Sequence, residues 1–479
     1  MKKNKLIIPL VFSLDDYDFA QDLYARPFYN FIYFSYKNKV PILVQERYLI
    51  SPEELRKKES TKWYFDKWSM DQFGYEFLTK KDIEKIDKYI IKNETVERIC
   101  ELYKNQSEAF LDILQRGNNI LEKELLNHID RIEAKYKRKI DAFLVWVNNK
   151  AIEKVCAKRK IRLIQMEMGP VRNLDWATTI AYCMDRDKYD NGFVKEEYEK
   201  FKKDVPKEEI LSKDELLALF LKKEDKRYLF EKDRAPKYKY GVALSFPKDY
   251  FFNIHSKFSN EEIYEKTLQL TDNSKICVRS HPGSVYDLGK HPNYDDSINS
   301  KDFILKNETI ISGVSNINFQ AMLFNRKSIS VSDKMPWSFL DGGDLSYVPD
   351  SSVDAMFLNY LVFCYFAPLR EMFDVKYLEY KFFEDYTLRD LYRKNREIIL
   401  KKRGLDETIF KLSNKERTKK IITTCFSKET YDNYIDYCYE EVLERENNMS
   451  KAKLDRILNS KGYKYLEKIW RLKGKIKND

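Results

Sequence analysis

Four segments of the sequence set chemically capable side chains beside glycine or proline, directly after short apolar runs. Arg279-Ser280-His281-Pro282-Gly283-Ser284 follows Lys275 to Val278. Its proline stiffens a turn that offers an imidazole, a hydroxyl and main-chain amides, a set suited to a phosphate monoanion; the alternative is a turn whose histidine caps local carbonyls. The chain has 4 histidines, His128, His255, His281 and His291, so one at a strand end is informative. Ile311-Ser312-Gly313-Val314-Ser315-Asn316-Ile317-Asn318-Phe319-Gln320 runs from a strand through a glycine turn into a helix. Ser315 and Asn316 are N-cap residue types, and the helix start behind them offers unpaired N–H groups and the positive end of a dipole to an anion. Gln320, one turn in, is within reach of a ribose hydroxyl or a base edge. A plain helix cap at Ser315 is the other reading.

The third segment, Glu167-Met168-Gly169-Pro170-Val171-Arg172, follows Ile161 to Met166. A carboxylate beside a glycine fits general acid or base work, and Arg172 fits either an anionic substrate or a structural pair with Glu167. The fourth, Phe246-Pro247-Lys248-Asp249, follows Tyr240 to Ser245 and sets Asp249 after a stiffened turn, although surface carboxylates are common. The His-Pro loop and the serine–asparagine segment together favour a nucleotide. Neither a G-x-x-x-x-G-K-[ST] phosphate loop nor a G-x-G-x-x-G fingerprint occurs. Asp185-Arg186-Asp187 spells the D-x-D that many sugar transferases use for a metal, but no clear strand precedes it, and the histidines and cysteines lack zinc-ligand spacing.

Such loops need strands to carry them. Apolar runs of strand length alternate with longer helical patterns, which predicts an α/β fold on parallel sheets. In the first half, strands are expected at 6–12, 31–35, 41–44, 142–147 and 161–166. Helices are expected over 81–137 and 149–159. After a charged helical stretch at 194–234 and a linker near 233–239, the pattern restarts. Strands are expected at 240–246, 275–279, 309–312 and 328–331, and helices at 259–270 and 315–324. Everything beyond 351 reads as helical. The division expected is 1–235, 236–350 and 351–479. Ligands of open α/β sheets bind outside the carboxyl ends of the strands, which is where all four segments fall.

The His281-Pro282 loop and the Ser312-Gly313-Val314-Ser315-Asn316 segment resemble the CMP-binding motifs of bacterial CMP-sugar glycosyltransferases of the capsule and O-antigen kind. With Glu167 to Arg172 and Asp249 added, the chain looks most like the retaining β-Kdo transferases over residues 140–335. The resemblance implies a GT-B fold, two Rossmann-like domains facing a cleft, with CMP-Kdo as donor and a saccharide or lipid-linked glycan as acceptor. It implies Asp249 as the nucleophile of a glycosyl-enzyme intermediate, Glu167 as acid or base, and His281 and Ser284 with the amides of Ser315 and Asn316 on the phosphate. Pro282 and Gly283 shape that loop, Gln320 lies near the nucleoside, and Arg172 or Arg279 meets the Kdo carboxylate. Gln320 departs from the family, where a glutamate often holds the ribose. A single phosphate leaves in this chemistry, so neither a metal nor another cofactor is expected. An inverting, sialyltransferase-like enzyme and a non-catalytic basic binding protein are the alternatives.

Composition agrees with a globular enzyme. The chain has 479 residues, 43% of them hydrophobic and 34% charged, and no run approaches the roughly 18 apolar residues of a membrane span. Net charge is +10 but spread among both signs, so no nucleic-acid partner is expected. Seven cysteines without a C-x-x-C pair fit a reducing cytoplasm. The basic and aromatic stretch Lys461 to Lys477 reads either as an amphipathic membrane-surface helix, which would place the protein peripherally on the inner face of the membrane, or as a packed solvated helix. Only 13 glycines occur, where an average chain would have about 34. Gly169, Gly283 and Gly313 are therefore read as points where backbone approaches the ligand.

Overall fold

The computed structural model describes residues 5–14, 20–58, 70, 76–171, 179–186, 190–232, 234–247, 249–281, 291, 293–341, 343, 345–346 and 348–436. These hold eleven strands: β1 Ile7–Val11, β2 Ile42–Gln45, β3 Lys88–Ile91, β4 Ala142–Val145, β5 Arg162–Met168, β6 Ile180–Met184, β7 Tyr238–Ala243, β8 Ile276–Arg279, β9 Asn307–Ser312, β10 Lys327–Ser330 and β11 Phe366–Pro368. They form a seven-stranded sheet in the order β11-β6-β5-β4-β1-β2-β3 and a four-stranded sheet in the order β10-β9-β7-β8. The second sheet is wholly parallel. In the first, β1 to β5 run parallel, while β6 is antiparallel to β5 and β11 to β6. This is the expected α/β, GT-B-type architecture.

Local chemistry explains the parts that carry the site. β1 and β4 are buried at every position, as strands covered on both faces require. Between β4 and β5 the helix Lys150–Arg159 begins at Asn149, whose side-chain oxygen accepts from the Ile152 amide at 3.0 Å. Its buried face is Ala151, Ile152, Val155 and Cys156, the spacing of a single stripe. In the second sheet, Gly241 lets β7 pass the Asn307 side chain, since a Cβ there would lie 2.6 Å from its Cγ.

Three expectations are corrected. Residues 31–35 belong to the helix Ala20–Asn38, not to a strand. Phe28, Tyr29, Phe31, Ile32 and Phe34 are all buried, and a helix covered nearly all round loses the periodicity that distinguishes it from a strand. The stretch 81–137 contains β3, a four-residue strand too short to show against its helical neighbours. The region beyond 351 is not wholly helical, because β11 returns to the edge of the first sheet. Packing also crosses both expected boundaries: one apolar core joins residues 180–229, one face of the second sheet and the C-terminal helices. Among the described residues no helix is long and apolar enough to cross a membrane. The stretch 461–477 lies outside the described residues.

Candidate active site

The carboxyl ends of the two sheets share a cleft with a cavity of about 350 Å³. Glu167, Asp249, Arg279, His281, Ser315, Asn316 and Gln320 all line it. Arg172, Pro282, Gly283 and Ser284 lie outside the described residues. From β5, the alternation that buries Ile164 and Met166 turns Gln165 and Glu167 to the other face. Glu167 stands opposite Tyr182 of β6. Glu167, Tyr182 and Phe251 also line an adjoining cavity of about 230 Å³, with Trp146 and Lys150 from the segment that follows β4.

From the second sheet, Asp249 caps the short helix Tyr250–His255, accepting at Oδ1 from the amides of Phe251 and Phe252 at 2.9 and 3.3 Å. Two amides hold the carboxylate in one orientation. His281 is exposed, its ring 5.9 Å from that of Phe246. Ser315 Oγ accepts from the Ile317 amide at 3.3 Å, two residues on, while the N-cap of the helix Ile317–Leu323 is Asn316, whose side chain makes no cap bond.

Residues that sequence reasoning passed over fix this turn. Asn318 is fully buried, with Nδ2 donating to Ile329 O and Ser328 Oγ, both at 2.9 Å, and Oδ1 paired with Ser312 Oγ. It ties the start of the helix to β9 and β10. Tyr182 reaches across the cleft, its hydroxyl donating to Asn316 Oδ1 at 2.9 Å. No glycine, proline or charge flags either residue in the sequence.

Two predicted ligand contacts are occupied by protein. Gln320 Nε2 donates to Pro170 O at 3.0 Å and its Oε1 accepts from Ser300 Oγ at 3.3 Å, so its carboxamide braces the two sheets against each other. Arg279 is buried and donates to Asp295 Oδ2 at 2.5 Å and to Ser297 O at 2.6 Å. Lys306 Nζ donates to the other Asp295 oxygen at 2.8 Å. Burial would raise the Asp295 carboxyl, but the bonds from Lys306, Ser297 and Arg279 outweigh it and hold it below the usual range. The charge of Arg279 is thus compensated inside the protein.

At two of the three glycines a protein neighbour already excludes a side chain, and Gly169 also lines the cavity. A Cβ at 169 would stand 2.3 Å from the Ile180 carbonyl oxygen, and one at 313 would stand 2.3 Å from Phe252 Cε2. Gly283 lies outside the described residues. In the D-x-D, Asp185 accepts from Arg162 Nη1 at 2.8 Å, and Asp187 lies outside the described residues. Among the described residues no group of three His, Cys, Asp or Glu side chains is placed to hold a metal ion.

The N-terminal domain of the glycosyltransferase 99 family matches residues 20–185, a span that includes Glu167 and Tyr182. No curated protein matches the chain. Among solved structures it is similar to the β-Kdo 2,7 transferase of KpsC from Thermosulfurimonas dismutans, at 16% identity over 50% of this chain and 81% of that one, with a TM-score of 0.36. The β-Kdo 2,4 transferase of the same protein is 12% identical over 43% and 77%, with a TM-score of 0.28. A UDP-GlcNAc 2-epimerase from Neisseria meningitidis bound to UDP-GlcNAc is 10% identical over 82% and 100%, with a TM-score of 0.29. The family match supports a glycosyltransferase, an enzyme that takes its sugar from a donor.

Proposed function

We propose that the chain transfers Kdo from CMP-Kdo to a saccharide acceptor with retention of configuration, in the synthesis of a bacterial surface polysaccharide. The observation that supports this reading is one cavity between two sheets, lined by two carboxylates, Glu167 and Asp249, and by the His281 and Ser315–Asn316 loops. In this reading His281 and the main-chain amides at Ser315 and Asn316 receive the CMP phosphate. Asp249 attacks the anomeric carbon, and the bond to the phosphate breaks with its electron pair leaving on CMP. Glu167 then takes the proton of an acceptor hydroxyl, whose oxygen attacks the same carbon and releases Asp249. In this reading the acceptor lies in the adjoining cavity, which shares Glu167 with the first.

The test is mass spectrometry of the protein incubated with CMP-Kdo. A Kdo adduct is expected on the peptide carrying Asp249. Asparagine caps helices as well as aspartate does, so Asp249→Asn keeps the helix Tyr250–His255 and separates chemistry from folding. Loss of both adduct and transfer is expected. Full transfer by Asp249→Asn would rule out the covalent route and leave an inverting transferase, and a protein that binds neither CMP nor CMP-Kdo ends the reading altogether.

A further inference from the structure

A carboxamide carries an acceptor at one end and two donors at the other, and which end faces a ligand decides whether an anion is welcomed or repelled. Asn316 lines the cleft cavity, and its Oδ1 is occupied by the Tyr182 hydroxyl at 2.9 Å. Its Nδ2 makes no hydrogen bond to any described residue. A phenol donates a hydrogen bond much better than it accepts one, so Tyr182 selects the amide orientation that keeps the oxygen on itself. Tyr182 is itself held: it lies 3% exposed on β6, opposite Glu167, with its ring edge-on to Phe366 at 5.1 Å.

We propose that Tyr182 is a positioning residue that locks the Asn316 side chain with its N–H₂ group turned to the cavity, as a donor to the phosphate of the nucleotide. This rests on the reading of the cavity as a nucleotide-sugar site. Without the phenol hydroxyl the amide is free to rotate, and its oxygen then competes for the place of the donor. Tyr182 would also couple the two halves of the site, because the strand that carries it pairs with the strand that carries Glu167.

Calorimetric titration with CMP and with cytidine tests this. Tyr182→Phe is expected to weaken CMP binding by about tenfold, the worth of one hydrogen bond to a charged group, and to leave cytidine binding little changed. Asn316→Asp keeps an acceptor for Tyr182 but replaces the donor with a second carboxylate oxygen, and is expected to lose more CMP affinity than Tyr182→Phe. It carries the test if Tyr182→Phe does not fold. Equal CMP affinity in Tyr182→Phe and wild type would overturn the proposal. So would loss of cytidine binding in the same proportion, which marks a general structural role. A wild-type protein that binds cytidine and CMP equally removes the phosphate contact, and one that binds neither removes the nucleotide reading itself.

Discussion

Gly313 and Phe252 approach so closely that a Cβ on residue 313 would lie 2.3 Å from Cε2 of the ring and 2.6 Å from Cδ2. The glycine belongs to the turn after β9 that leads to Ser315, and the phenylalanine to the helix that Asp249 caps. The contact therefore sets the distance between the two loops of the second sheet that carry the site. Gly313→Ala is expected to destabilise the protein by about 1–3 kcal/mol through overpacking and to lower transfer together with stability. Combining it with Phe252→Leu, which removes the ring, should recover part of the loss in a thermal melt. Strictly additive losses would show that the ring is not what the methyl group meets.

What the sequence revealed of this site follows from what each residue's signal depends on. Asp249, His281 and Glu167, which line one cavity, are legible because strand-length apolar runs end just before them, and a loop after a strand is a local pattern. The unit of β4, helix and β5 was legible for the same reason, with Asn149 marking the helix start. The partners of those residues were not legible. Nothing near Arg279 shows that Asp295, 16 residues on, takes its charge, and nothing near Gln320 shows that Pro170, 150 residues away, accepts its amide. Tyr182 lies on an antiparallel strand inserted beside Glu167, and such pairing is a property of the sheet. Gly169 and Gly313 are legible as points where the backbone is closely approached, and the atoms a side chain would meet there belong to Ile180 and Phe252.

The Arg279–Asp295–Lys306 cluster gives a pH dependence with a definite sign. The Asp295 side chain is fully buried, and its carboxyl titrates below its usual range in the folded protein. A depressed carboxyl contributes stability that is complete above the unfolded value, near 4, and is lost as pH falls through the folded value. Asp295→Asn is expected to cost on the order of 3 kcal/mol at pH 7, because Arg279 is left buried without its counter-charge. The gap between variant and wild type should narrow as pH is lowered below about 4. Urea unfolding at several pH values measures this, and a gap independent of pH would show that the charge of Asp295 is not what stabilises the loop.

Glu215 and Arg417 join the end of the described chain to the body that carries the second sheet. Both side chains are almost fully buried, 1% and 5% exposed, and two parallel bonds of 2.9 and 3.0 Å link them. Glu215 also accepts from the Ser212 amide at 2.8 Å and from Thr418 Oγ1 at 3.0 Å, while Arg417 Nη2 donates to Ile210 O at 3.1 Å. Every polar atom of the pair that the helix Asn414–Cys425 covers thus has a partner. A pair of this kind repays its desolvation only while it is complete. Arg417→Met should therefore cost about 3–5 kcal/mol, since it leaves a buried carboxylate without its counter-charge. Glu215→Leu combined with Arg417→Met removes both charges, and should be more stable than Arg417→Met alone despite losing the bond that the Glu215 carboxylate accepts from the Ser212 amide. A double variant no more stable than that single one would mean that the geometry of the pair, and not the burial of an uncompensated charge, sets the stability of this junction.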